Sequence, residues 1–592
     1  YHGNDGTQMP WNDTAQLDYL NPAAREAVIQ TILWVARHFP IIRFDAAMTL
    51  ARRHIQRLWF PPPGQGGAVP SRAEQGSLTQ AQFDALLPTE FWREVVDRVQ
   101  AEVPDTLLLA EAFWMMEGYF VRSLGMHRVY NSAFMNMLKT EDNAQYRATV
   151  RNVIEYSPEI LKRFVNFMNN PDEDTAEAQF GTGDKAFGVA LLMATMPGLP
   201  MFGHGQIEGF TEKYGMEYPR AYRDEQPNPD LVGRHEGEIF PLVRRRYLFS
   251  QVENFAFYDF MTASGEVDEN VFAYSNRAGD ARAVVLYNNV YGSTAGRVRL
   301  STPINVGSSD EPNLQVRSLV DALGLERERM YRFRDHRGGR WYLRWGHEIA
   351  DDGLFAELGG YQSHVFLDFT EVADDPLWDK VAWELGGAGV LDLDDAYAVQ
   401  RRRPALDQLF PVVDAVLAGE PVGDVLTTYL GDAAAAKKAA TAISAARKAK
   451  LPDVHAFAAL LAALPEDFEM AVLADACVVL GNEPDEARVA AATARLLADF
   501  GDVLMSPNPA QGWAALVASP AAAAALRINT HEGVRYVHQE SADALIEALL
   551  EAFAARGTKA QRKRIAANVE ALRVALVAAG YRADDWVAAL GA

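Results

Sequence analysis

The sequence predicts an α/β protein built on a parallel β-sheet, and three segments predict it. They are Ile41-Ile42-Arg43-Phe44-Asp45, Thr106-Leu107-Leu108-Leu109-Ala110-Glu111 and Arg163-Phe164-Val165-Asn166-Phe167-Met168-Asn169-Asn170-Pro171-Asp172. Each is a near-continuous apolar run of strand length, the pattern of a strand buried on both faces. Each closes on a carboxylate. Helical stretches such as Thr89 to Glu102 lie between them. Strand alternating with helix implies right-handed crossovers between parallel strands. Acids at three such strand tips converge on one pocket, at the end of a parallel barrel where chemistry sits.

The first strand is expected to bury Ile41 and Phe44 and to deliver Asp45 to its tip. Arg43 stands two residues before Asp45, on the same strand face. That cation would hold Asp45 ionised, as a nucleophile requires. Glu111 sits between Leu107-Leu108-Leu109-Ala110 and Phe113-Trp114. Apolar surroundings penalise its charged form, so it is the better proton donor. Two carboxylates with these unlike settings suit glycosidic bond cleavage, in which one attacks or stabilises the anomeric carbon and the other protonates the leaving oxygen. The competing reading of each acid is an ordinary ion-paired strand end.

These residues carry a resemblance to the α-amylase superfamily, glycoside hydrolase family thirteen. Ile42-Arg43-Phe44-Asp45-Ala46-Ala47 is similar to its nucleophile motif. Leu109-Ala110-Glu111-Ala112-Phe113-Trp114 is similar to its acid motif, and Phe167-Met168-Asn169-Asn170-Pro171-Asp172 to its third motif. Pro197-Gly198-Leu199-Pro200-Met201-Phe202-Gly203-His204-Gly205-Gln206 resembles its eighth-strand signature. Trp11-Asn12-Asp13-Thr14-Ala15-Gln16-Leu17-Asp18-Tyr19-Leu20-Asn21-Pro22 resembles the segment introducing the helix before the fourth strand. The resemblance covers roughly the first 370 residues. It implies a partial (β/α)8 TIM barrel, strands four to eight, near 41–45, 106–111, 127–131, 164–169 and 199–203. It also implies a retaining mechanism on α-linked glucans or maltooligosaccharides. Asp45 is then the nucleophile, Glu111 the acid and base, and Asp172 the residue that holds sugar hydroxyls and distorts the ring. Arg43, Asn170, Phe113, Trp114 and His204 are the implied substrate-binding residues. Retention expects the Asp45 and Glu111 carboxyls about 5–5.5 Å apart, and inversion roughly 9 Å.

The chain also departs from the family. No D-x-x-x-N-H motif and no first three strands are found, so the sequence reads as a fragment that opens mid-loop at Tyr1. It is expected to be poorly soluble or inactive unless the missing strands are supplied, because open sheet edges aggregate. Pro171 replaces the motif's histidine, as in maltosyltransferases that use maltose 1-phosphate, and this is the alternative enzymatic reading. A non-catalytic glucan-binding or scaffold protein is a third. Met48-Thr49 replaces a Lys-His pair found near a calcium site, so no cofactor is expected. Asn12, Asp13 and Asp18 retain oxygen ligands for calcium, with helix capping as the competing role. Trp11, Phe113, Trp114, Tyr119, Phe210 and Tyr214 are candidate sugar platforms, with core packing as the alternative. His204 is read either as a contact to the first sugar or as a structural hydrogen bond. The loop Pro61-Pro62-Pro63-Gly64-Gln65-Gly66-Gly67 is expected to be irregular.

The remaining chain divides by texture, giving expected boundaries at 1–254, 255–372 and 373–592; 592 residues suffice for three domains. Val271 to Arg277, Ala283 to Asn289, Arg297 to Leu300 and Gln362 to Asp368 read as an antiparallel β-domain, with Ala278-Gly279-Asp280 as a turn. From about residue 373 the chain is Ala-rich and helical. Ala433 to Lys450 and Ala542 to Arg556 are expected helices, the latter capped by Ser541. Pro404, Pro452, Pro465, Pro484 and Pro507 fall near expected helix starts. Asn529 to Tyr536 is expected to form a hairpin, with His531 and Glu532 read either as ligands or as part of a surface turn. The net charge of −23 argues against a nucleic-acid partner and suits neutral sugars. No run of about 20 apolar residues predicts a membrane span. The single cysteine, Cys477, excludes an intramolecular disulfide and leans toward a cytoplasmic location, with secretion left open.

Overall fold

The structure is a computed structural model that describes residues 2–6, 9–65, 69–113, 116–213, 220–448, 456, 460, 484–504, 510–531, 533–556 and 558–591. Trp114, Tyr214, Gly66, Gly67, Pro452, Pro465, Cys477, Pro507 and Glu532 lie outside the described residues. The chain packs as two compact units. One is Tyr1–Asp374 with Gly386–Leu391, and the other is Asp375–Leu385 with Asp392–Ala592. The segments 1–254 and 255–372 therefore share the first unit.

That unit is organised by five parallel strands: β1 (Ile41–Phe44), β2 (Leu107–Ala110), β3 (Arg128–Tyr130), β4 (Phe164–Phe167) and β5 (Leu199–Met201). They pair in chain order, with Ile41 opposite Leu107, Val129 opposite Phe164 and Phe167 opposite Met201. Each stands within a few residues of its expected place. Leu108, Val129, Val165 and Phe167 are fully buried at the centre of the core. Ile41 is not: it is 59% exposed. It lies on an outer strand with one β neighbour among the described residues, so only Phe44 of the expected pair is buried.

Helices cover the sheet. Pro22–Ala36 is the helix expected before β1. Its cap is Asn21, whose side chain accepts from Ala23 N, with Pro22 at the first helical position. Asn12 and Asp13 do not cap it; they lie in the strand Pro10–Ala15, which pairs with His2–Asn4. Asp18 Oδ1 instead accepts from Leu20 N. Phe91–Glu102 begins two residues later than expected, with Glu90 at its cap. Its buried Phe91, Trp92, Val95, Val96 and Val99 form one apolar stripe at helical spacing.

The antiparallel part is a sandwich. Its larger sheet runs Trp341–Trp345, Met330–Asp335, Ser363–Glu371, Ala281–Asn288, Val271–Ala278 and Ala256–Tyr258, in spatial order. Leu354–Leu358, Thr294–Val298 and Met261–Thr262 form the facing sheet. Tyr258, Val284, Leu286, Val298, Leu354 and Leu358 fill the space between them. The expected turn is a two-residue hairpin in which Gly279 takes φ 60°, a conformation glycine adopts without steric cost.

A buried ion network ties this sandwich to the helix Asn143–Tyr156. Arg147 is fully buried. It reaches Asp259 at 2.5 Å, Glu269 at 2.6 Å and the Val271 carbonyl at 2.7 Å. Beside it, Asn143 Oδ1 accepts from Asn289 Nδ2 at 2.7 Å.

The second unit is helical, with the hairpin Asn529–His531/Val534–Tyr536 as expected. Two expectations hold there and two shift. Pro404 lies inside the helix Leu393–Leu417 rather than at its start. Pro484 does open Pro484–Leu504. Ala433–Lys448 matches its expected helix over the described residues. Ser541 is the third residue of Gln539–Arg556, so it is not that helix's cap; its hydroxyl meets His538 Nδ1 at 2.9 Å.

Removing Arg147 strips the charge partners from a buried position. Arg147→Met is expected to lower unfolding stability by about 3 kcal/mol, read as a drop in the denaturant midpoint at unchanged slope.

Candidate active site

The site is assembled at the C-terminal ends of the parallel strands. Asp45 follows the last residue of β1 and Glu111 follows the last residue of β2. Asp172 lies five residues beyond β4, in a turn rather than at the strand tip. Asn170 explains the offset. Its side-chain oxygen accepts from Asp172 N at 2.9 Å and Glu173 N at 3.0 Å, closing an Asx turn. Oxygens of Asp45, Glu111 and Asp172 all lie within 4.8 Å of one another. The three acids expected to converge do so.

Arg43 binds the first two. Its Nη1 is 2.5 Å from Asp45 Oδ1. Its Nη2 is 2.9 Å from Glu111 Oε1, as an ion pair without hydrogen-bond alignment. Strand register produces this. Arg43 is opposite Leu109, and Glu111 stands two residues further on the same face. The guanidinium is held from behind by Tyr130, at the end of β3. Arg43 Nε donates to Tyr130 Oη at 3.2 Å, and burial keeps that phenol neutral by raising its pKa.

The two acids sit in unlike settings. The Asp45 side chain is 56% exposed and that of Glu111 is 2% exposed. The Glu111 pKa is raised from 4.5 to about 7, by burial first and by a hydrogen bond with Asp45 second. The Ala46 N–H at 2.8 Å and the Arg43 charge oppose that rise. Ala46 has left-handed backbone (φ 42°, ψ 38°), and this bend places its N–H against Glu111 Oε2. A non-glycine residue held there stores strain of the kind found at functional sites.

The other expected site residues divide. Asn170 is buried and engaged in its turn through oxygen, while its amide nitrogen has no hydrogen-bond partner. Phe113 is partly buried and packs against the core. His204 is exposed; its carbonyl accepts from Asn169 Nδ2, and its ring stands 5.7 Å from that of Phe210. Gly203 permits that contact, since a Cβ there would lie 2.1 Å from Asn169 Oδ1. Tyr119 donates to Glu90 at 2.6 Å and packs against the core. Tyr130 and the Ala46 N–H were not expected at the site. The 127–131 strand carried the only signal for Tyr130, as a polar aromatic at a strand end.

Among the described residues, Asp45, Glu111 and Asp172 are the group of acids spaced to hold a cation. Arg43 already supplies positive charge to two of them.

No family model and no curated protein matches the chain. Solved structures do show similarity at low level. The α-amylase of Anoxybacillus is 12% identical at a TM-score of 0.38, covering 61% of this chain and 65% of that enzyme. An α-amylase from Geobacillus thermoleovorans, solved with acarbose, is 13% identical at 0.39, covering 62% and 71%. A debranching enzyme of Nostoc punctiforme is 16% identical at 0.38, covering 59% and 62%. The chain thus spans somewhat under two thirds of the length of the Anoxybacillus enzyme.

The raised Glu111 pKa carries a sign. Between about 4.5 and about 7 the folded chain keeps a proton that the unfolded chain has released, so Glu111 lowers stability as pH rises through that window. Glu111→Gln is expected to be relatively more stable than wild type at pH 8 than at pH 5, measured by urea midpoints at both pH values.

Proposed function

We propose that this protein cleaves or transfers α-linked glucose units through a covalent glycosyl-enzyme. The observation that carries the mechanism is the buried Glu111, protonated to about pH 7, beside an exposed Asp45 that Arg43 holds. Asp45 attacks the anomeric carbon as the glycosidic C–O bond breaks, and the Glu111 proton passes to the leaving oxygen. Glu111 then takes a proton from water or an acceptor hydroxyl. The resulting oxygen attacks the anomeric carbon and releases Asp45. Asp172 holds sugar hydroxyls at the third corner. The acids' oxygens within 4.8 Å favour the short separation of double displacement over the roughly 9 Å gap of inversion.

The α-glucan substrate class rests on the motif residues around Asp45, Glu111, Asp172 and Gly203. The low-level likeness to solved α-amylases carries none of it. The maltose 1-phosphate reading has Pro171 alone behind it, and phosphate release from that substrate separates it from hydrolysis or glucan transfer.

Three outcomes are expected with maltooligosaccharides. Glu111→Gln lowers kcat by about 10²–10⁴-fold while the fold is kept, as judged by circular dichroism. Asp45→Ala abolishes turnover, and proton NMR of the first wild-type product shows the α-anomer. An initial β-anomer, or full activity in Asp45→Ala, would refute the mechanism.

A further inference from the structure

The opposite end of the parallel sheet carries a second concentration of charge. Arg128 opens β3, with His127 just before it, and Arg163 immediately precedes β4. Val129 pairs with Phe164, so Arg128 and Arg163 stand side by side at the starts of neighbouring strands. Arg246 joins them from the helix Arg246–Phe249. It donates to the Ala194 carbonyl at 2.7 Å, to the Met196 carbonyl at 2.8 Å and to the carbonyl of Gly198, the residue before β5. One strand length, roughly 13 Å, separates this cluster from the acids.

Among the described residues, none of the three arginines makes an ion pair with a carboxylate. Arg128 donates to the His127 carbonyl at 3.0 Å and Arg163 to that of Val121 at 3.2 Å. The Nε atoms of Arg128 and Arg246 are buried with no hydrogen-bond partner. Among the described residues, the charges that act on Arg128 and His127 are those of neighbouring arginines, and those on Arg246 are the Tyr274 phenol and Arg128; no carboxylate is among them. Such crowding is notable in a chain of net charge −23. A lysine could escape it by losing its proton, but a guanidinium cannot. Histidine can, and His127 does so: its Nδ1 accepts from Leu108 N at 3.0 Å, so its remaining proton sits on Nε2, as a donor.

We propose that His127, Arg128, Arg163 and Arg246 form a binding site for a phosphate-sized oxyanion at the N-terminal end of the parallel sheet. An oxyanion supplies the negative charge the cluster lacks, and its oxygens suit the forked donors of arginine. The ligand is inorganic phosphate or a phosphoryl group on a small molecule. The site is independent of the chemistry proposed at Asp45.

Thermal unfolding of the full chain tests this in phosphate, sulfate, acetate and chloride at constant ionic strength, with calorimetric titration by inorganic phosphate. Phosphate is expected to raise Tm in proportion to the logarithm of its concentration and to bind at one site. Arg163→Gln and Arg128→Gln are each expected to weaken phosphate about tenfold or more, whereas Asp45→Ala leaves it unchanged. Glucose 1-phosphate separates the two ligand sources by binding more tightly than inorganic phosphate if a phosphorylated sugar is the ligand. The proposal fails if phosphate stabilises no more than chloride, if acetate stabilises as well as phosphate, or if both arginine variants bind as wild type. Should the variants not fold, the wild-type titration alone decides.

Discussion

The site turns on one guanidinium. Arg43 lies between two carboxylates in unlike settings, touching Asp45 at 2.5 Å and Glu111 at 2.9 Å. Without a shared cation, two acids this close would repel and could not both stay near their working charge. With it, solvent exposure sets the two apart: Asp45 stands open to water, while burial resists the charged form of Glu111. The rest of the sheet serves this placement. Parallel register fixes Arg43 against Glu111, and Tyr130 on the next strand fixes the rotation of the guanidinium.

The structure answers the sequence unevenly, for physical reasons. β1 to β5 were legible because strands covered on both faces must be apolar throughout, and few other patterns of that length are. Ile41 was misplaced because an outer strand can expose a residue that a central strand would bury. Helix starts were misjudged at Phe91, where Glu90 makes no side-chain cap, and at Gln539, ahead of the expected Ala542, and Pro404 was tolerated inside a helix. The identities of the three acids were legible. Their connection through Arg43 was legible only by half, since the contact to Glu111 depends on the register between two strands about sixty residues apart. Tyr130 and the Ala46 N–H lay beyond reach, because backbone twist and ring contacts leave little mark on a single sequence.

The two ends of the sheet are electrostatic opposites. Acids gather at the C-terminal ends, where one arginine moderates them, and arginines gather at the N-terminal ends with no carboxylate paired to them among the described residues. Asp45 and Glu111 at one end, and Arg128 and Arg163 at the other, are fixed by strand ends, so they are as rigid as the hydrogen-bonded ladder between them. That ladder separates charge in a chain whose overall balance is strongly negative.

Asp172 departs from this rigidity. Asp45 and Glu111 are anchored one peptide beyond a paired strand, whereas Asp172 rides a turn held by Asn170, with Lys213 gripping its carbonyl at 2.7 Å from another loop. Its position is therefore set by loop hydrogen bonds that can break without disturbing the sheet. The third corner can shift while the sheet stays in place. The geometry at that corner is then adjusted by the free energy of a single turn, so changes in the loops around Asn170 and Lys213 can move Asp172 while Asp45 and Glu111 stay as they are.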